Sequence, residues 1–264
     1  MDAALHRMPG KERGRGGLTG RFRAAAGRWA KLFELSFFPS RCKTCGGLLE
    51  GTGERILCRA CLGEIVASRL PECPRCGRFF EGAGGPHVCG ECVKNPPAFL
   101  VHRSCGAYRG RLKDAILLFK FRKCRPLGGA LARFIHETKT KEEALWNGAD
   151  LIMPVPLHRR RERERGFNQS AVLAREIGRL RGIPVEARVL RKVRNAPPQT
   201  SLERAGRLTN VREAYRVVRP ERVRQRTVLL VDDVYTTGAT IRECAAVLVE
   251  AGAKEVRALT IAQA

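Results

Sequence analysis

Beyond Pro96 and Pro97 the apolar positions fall into two alternating rhythms. From Arg109 to Phe121 the residues Leu112, Ile116 and Phe119 recur at helical spacing and predict one helix. A second helix is predicted over Asn168 to Arg181, with Val172, Ala174, Ile177 and Leu180 among its apolar positions and Gly182 closing it. A third runs from Thr240 to Ala251, with Ile241, Cys244, Ala245 and Leu248 facing inward and Gly252 beyond its end. Between these lie short continuous apolar runs of strand length. Asp150 to Val155, Arg226 to Val231 and Glu255 to Ile261 read as buried strands. Strands alternating with helices predict an α/β domain with a mostly parallel sheet and flanking helices.

Upstream of Pro96 neither rhythm is present, and cysteines take over. Cys42, Cys45, Cys58 and Cys61 follow C-x2-C-x12-C-x2-C, and Cys73, Cys76, Cys89 and Cys92 repeat the pattern 31 residues later. Gly46 and Gly77 each follow a first pair, freeing a tight turn to aim amide hydrogens at sulfur. Two such turns close a tetrahedral four-sulfur site, which suits Zn2+. With so few large side chains here, metal binding would supply the folding free energy. The expectation is two structural zinc sites paired within each repeat, with a cross-braced pairing left open. Cys105, Cys124 and Cys244 stand outside the pattern and read as small buried apolar residues. His87 and His102 read as bystanders, because eight cysteines already complete two sites.

The expected organisation is a basic disordered tail over residues 1–36, a double four-cysteine zinc-binding module over 37–97 and an α/β domain over 98–264. No secretory pattern opens the chain, and no apolar run approaches the roughly 18 residues that span a bilayer. The expected location is cytoplasmic. Charge changes the picture most. The formal net charge is +24, and the segment from Leu157 to Arg226 holds twenty Arg and Lys against seven Glu. Such a field attracts phosphate, diphosphate or nucleic acid.

A specific anion site stands out. The strand ending at Val231 runs into Asp232-Asp233-Val-Tyr-Thr-Thr-Gly-Ala-Thr240, where a ligand of a parallel sheet belongs. Thr236, Thr237 and Thr240 offer hydroxyls, Gly238 and Ala239 bring the backbone close, and the next helix offers free N–H groups to a phosphomonoester. Asp232 and Asp233 would repel phosphate, so they read as acceptors for a vicinal diol or as partners of Mg2+. Tyr235 falls in the loop, facing ligand or solvent.

This segment resembles the signature by which type I phosphoribosyltransferases bind 5-phosphoribosyl-1-diphosphate (PRPP). Tyr108-Arg-Gly110, Phe119-Lys-Phe121, Pro154-Val-Pro-Leu157, Arg165-Gly-Phe-Asn-Gln169, Gln199, Arg204 and Asn210 stand in the order seen in the ComF (competence protein F) family, after a Phe38-Pro39 dipeptide and a cysteine-knuckle region. The resemblance implies a type I phosphoribosyltransferase fold with an N-terminal double zinc ribbon. Asp232 and Asp233 would meet the ribose, and residues 236–240 the 5′-phosphate. The loop Pro154, Val155 and Pro156, with Arg159, Arg160, Arg163 and Arg165, would meet the diphosphate, with Mg2+. Three roles follow: phosphoribosyl transfer, single-stranded DNA handling in competence, and PRPP sensing. With aromatic residues at only 6%, any DNA contact would rest on backbone electrostatics rather than stacking.

Overall fold

A computed structural model describes residues 40–49, 56–82, 84–194 and 214–264. The tail, Phe38-Pro39, Gln199, Arg204 and Asn210 lie outside the described residues. The strands are β1 (Val101–Ala107), β2 (Leu151–Pro154), β3 (Leu190–Lys192), β4 (Tyr215–Val217), β5 (Thr227–Tyr235) and β6 (Glu255–Gln263). The helices are α1 (Arg59–Gly63), α2 (Gly90–Lys94), α3 (Gly110–Phe121), α4 (Leu127–Thr138), α5 (Glu143–Trp146), α6 (Arg159–Arg165), α7 (Gln169–Arg181) and α8 (Ala239–Glu250).

Four strands form one parallel sheet in the order β1-β6-β5-β2, and β3 with β4 makes a small antiparallel pair. The expected parallel α/β architecture is therefore present. Its central strand β5 is buried on both faces. Leu229 and Val231 join one core with Phe119, Leu131, Ile135, Leu173 and Ile177. Val228 and Leu230 join the other with Met153, Ile241 and Leu248. This is the two-residue period of a strand covered on both sides.

The cysteine repeats divide between these cores. Cys42 and Cys61 of the first pack with the α3, α4 and α7 side chains. All four cysteines of the second pack with the side chains of α8, β2 and β5. The two repeats thus grip opposite faces of one sheet. The second repeat and the segment between the two also close its outer border: the His102 N–H donates to the Arg75 carbonyl at 2.8 Å, and the Ser68 N–H to the Cys105 carbonyl at 2.9 Å. At the other border the Ile152 N–H donates to the Pro184 carbonyl and the Glu186 N–H to the Ile152 carbonyl.

Two sequence expectations change. The basic stretch after Leu157, read as a loop, forms α6 from Arg159 to Arg165, capped by His158. The strand expected to stop at Val231 continues to Tyr235, because Asp232 pairs with Thr260 and Tyr235 with Gln263. Helix α4, which the periodicity did not announce, packs along α7. There Gly128 permits the contact, since a Cβ would fall 2.5 Å from Val172 Cγ1.

Candidate functional site

The acidic pair stands where the carboxyl end of β5 meets the first turn of α7 and the last turn of α3. Lys120 Nζ lies 2.8 Å from Asp233 Oδ1. Ser170 Oγ donates to Asp232 Oδ1 at 2.8 Å, and the Asp233 N–H donates to the same oxygen at 2.9 Å. Burial, and then the charge of Asp233, hold the Asp232 carboxyl far above the usual range, at about 7, against the opposing pull of Ser170 and Lys120.

The motif Arg165-Gly-Phe-Asn-Gln169 explains how α7 is aimed. Asn168 Oδ1 accepts from the N–H groups of Ser170 and Ala171, which makes it the N-cap. Its Nδ2 donates to the Val155 carbonyl at 3.0 Å, tying the helix start to the turn after β2. Gln169 Nε2 reaches the Lys120 carbonyl at 3.5 Å. Three separate sequence motifs therefore converge on the acidic pair. Asp232 and Asp233 were singled out from sequence; Lys120 and Ser170 were not assigned a role there.

The segment 236–240 forms the expected turn. Thr236 and Thr237 are exposed, and Thr237 Oγ1 accepts from the Ala239 N–H at 3.4 Å. Gly238 has φ +76° and, as the N-cap of the twelve-residue α8, offers the helix no side-chain cap of its own. Such a terminus favours an anion. Tyr235 does not face solvent. It is buried, and its ring stacks on His102 with centroids 4.0 Å apart. His102 stands outside both cysteine clusters, as expected, and serves the packing instead: Nδ1 lies 2.7 Å from the Cys76 carbonyl and Nε2 3.0 Å from Thr260 Oγ1. Its burial pushes the imidazole down to about 3, so it stays neutral.

Of the loop after β2, Pro154 ends the strand and the Val155 N–H donates to the Val231 carbonyl at 2.9 Å, while Pro156 is half-buried. Arg159, Arg160 and Arg163 are exposed on α6, and Arg160 pairs with Glu164 at 3.1 Å. Arg165 is engaged elsewhere: Nη1 donates to Gln169 Oε1 at 3.1 Å, and its guanidinium lies 5.4 Å from the Phe121 ring centre.

Each cysteine tetrad gathers its sulfurs within 4.8 Å of one another. Cys45 and Cys58 sulfurs are 3.7 Å apart, and those of Cys76 and Cys89 3.6 Å. Tetrahedral zinc with bonds near 2.3 Å requires sulfur separations of about 3.8 Å, so both sets fit that ion. In the second set Cys73 Sγ accepts from the N–H groups of Cys76 at 3.5 Å and Cys89 at 3.4 Å. Burial alone would raise the Cys73 thiol, but these amides outweigh it and bring it down to about 7. The tetrads differ in exposure: Cys45 is exposed, whereas all four members of the second are buried. Cys105 and Cys244 are buried as expected, and Cys124 half-buried. Among the described residues no helix is long and apolar enough to cross a membrane.

Comparison with known proteins agrees with this architecture. The family model of the double zinc ribbon domain matches residues 35–93, and that of the phosphoribosyl transferase domain matches residues 164–264. Competence protein F of Haemophilus influenzae is 30% identical over 87% of this chain and 100% of its own length. The DNA utilization protein YhgH of Escherichia coli K12 is 32% identical over 64% of this chain and 74% of its own. A solved glutamine PRPP amidotransferase from B. subtilis, complexed with ADP and GMP, is 27% identical at a TM-score of 0.33, covering 52% of this chain and 26% of that one. With a relative of this identity aligned along its whole length, and both domain types present in order, the chain belongs to the competence protein F (ComF) family of phosphoribosyltransferase-like proteins with an N-terminal double zinc ribbon.

Proposed function

We propose that the chain binds PRPP beyond the carboxyl end of β5 and transfers its phosphoribosyl group. The observation that carries this reading is the meeting of Asp232, Asp233, Ser170 and Lys120 beside a helix start whose N-cap is a glycine. Asp232 and Asp233 accept the ribose hydroxyls. Thr236, Thr237, Gly238, Ala239 and Thr240 hold the 5′-phosphate through hydroxyls and amide hydrogens. The turn Pro154-Val155-Pro156 faces the diphosphate, with Arg159, Arg160 and Arg163 as its exposed cations.

Magnesium fits this site only as a companion of the ligand. Mg2+ wants about six oxygens, and one of the two carboxylates is already paired with Lys120. The diphosphate would complete the shell, and the bound ion would draw off the negative charge that develops on the leaving group. The protein's own share is to fix the ribose and to place cations beside the departing diphosphate. In chain organisation this reading assigns residues 37–97 to the zinc module and 98–264 to the ligand-binding domain, in a cytoplasmic protein.

Calorimetric titration with PRPP and excess Mg2+ tests it. The expected result is saturable one-to-one binding that inorganic diphosphate alone does not reproduce. No heat with PRPP, or equal affinity for diphosphate, would remove the reading.

A second reading has support from the relatives' names, one a competence protein and one a DNA utilization protein, and from the charge of +24. In it the basic surface holds single-stranded DNA. Affinity for an oligonucleotide should then fall steeply between about 50 and 200 mM salt, as phosphate contacts release counterions. A flat response in filter binding would exclude an electrostatic DNA surface.

A further inference from the structure

Helix α8, whose start forms the anion site, is braced against the second cysteine tetrad by two side chains. The Arg242 N–H donates to the Gly238 carbonyl at 2.9 Å and so closes the first turn. The same residue's guanidinium leaves the turn and reaches the ribbon. Nη1 donates to the Asn95 carbonyl at 2.7 Å, and Nη2 lies 3.7 Å from Cys92 Sγ. The other brace is Tyr235. Its hydroxyl fills the space under Gly238, where a Cβ would fall 2.2 Å away, and its ring stacks on His102, which bonds the Cys76 carbonyl. Gly77 keeps that contact close, since a Cβ there would lie 2.6 Å from the His102 carbonyl oxygen. The first tetrad packs into the opposite core and takes no part in this arrangement.

We infer that the second cysteine tetrad is a working part of the phosphate cradle, with Arg242 the positioning residue that ties the turn at 236–240 to a metal-bound thiolate. A guanidinium beside a zinc thiolate offsets the excess negative charge of four sulfurs on one divalent ion, as partners outside a metal's ligand shell commonly do. The strut therefore works in both directions: the metal fixes the guanidinium, and the guanidinium fixes the turn. Coupling of this kind is reciprocal, so a ligand on the turn must also hold the metal more firmly. The inference rests on the phosphoribosyl reading above for the identity of that ligand.

The test uses the full chain loaded with two zinc ions, challenged with the zinc-selective chelator TPEN while release is followed by a metallochromic dye. Wild-type protein should release zinc in two phases, the fast one from the exposed first tetrad. PRPP with Mg2+ should slow only the second phase. In Arg242→Gln the slow phase should accelerate, PRPP should no longer retard it, and the PRPP dissociation constant should rise about tenfold, as for loss of one charged hydrogen bond. Arg242→Lys, which keeps the charge but not the fork, should fall between, and decides the matter if the glutamine variant does not fold. A slow phase at the wild-type rate would overturn the inference. So would an unchanged PRPP affinity in a variant whose slow phase has accelerated. If wild-type protein itself gives no heat with PRPP, the ligand reading fails instead. The strut is then judged on zinc release alone, standing if Arg242→Gln is faster and falling if it is not.

Discussion

Cys73→Ser should leave no cooperatively folded protein, whereas Cys45→Ser should leave a folded chain carrying one zinc. Cys73 is fully buried, accepts two amide hydrogens and lies in the core shared with β2, β5 and α8. Structural zinc contributes on the order of 10 kcal/mol of apparent binding free energy in isolated fingers, as much as the whole stability of a typical domain. Losing that site would also leave three buried thiols without their ion. Cys45 sits at the exposed rim of the first tetrad, where water can replace what the serine does not supply. Thermal melts with metal analysis on both variants check this. Equal melting curves would show that the two ribbons carry the same structural weight.

Asp232→Asn with Asp233→Asn should weaken PRPP binding by at least roughly a hundredfold, since two charged hydrogen-bond acceptors go at once. Asp232→Asn alone should do something less obvious: it should stabilise the fold at high pH. The Asp232 carboxyl is held up to about 7 by burial and by Asp233, so its charged form is less comfortable folded than unfolded. Below about 4 an unfolded carboxyl also begins to hold its proton and the penalty vanishes. The penalty grows as pH climbs from there and is complete once pH passes about 7. Asparagine keeps an oxygen for Ser170 and removes the charge. With allowance for partial exposure, the variant should gain about 2 kcal/mol at pH 8 and nothing near pH 4. Denaturant titrations at the two pH values measure the difference. A gain that is the same at both would show that the Asp232 charge is not what strains the fold. Together the two results would mark the pair as kept for binding at a cost in stability.

What the sequence revealed, and what it hid, divides by the range of the interactions. Helices α3, α7 and α8 and strands β2, β5 and β6 carry clean apolar periods, and each was placed within a few residues. Helix α4 begins Leu-Gly-Gly after a proline, which reads as a turn; the first of these glycines, Gly128, serves contact with α7 rather than flexibility. Strand β1 was hidden because His102 and Ser104 break its apolar pattern. Both are buried and satisfied by Thr260 on the neighbouring strand, a partner some 156 residues away for Ser104. Helix α6 is polar on every side, so no period could reveal it. In the site, the local signature of residues 232–240 was legible because strand, paired acids and turn are contiguous. Lys120 and Ser170 were not, because only the folded sheet brings α3 and α7 to the end of β5.

The backbone bonds that Arg75 and Ser68 make with β1 have a consequence for how the protein fails. Among the described residues they are the backbone hydrogen bonds on that flank of the sheet; Arg75 sits inside the Cys73–Cys76 turn, and Ser68 lies on the segment between the two cysteine repeats. A chain synthesised under zinc starvation would present a naked row of amides and carbonyls, a template for pairing with another copy of itself. Metal shortage should then show first as insoluble aggregates rather than as a soluble unfolded pool.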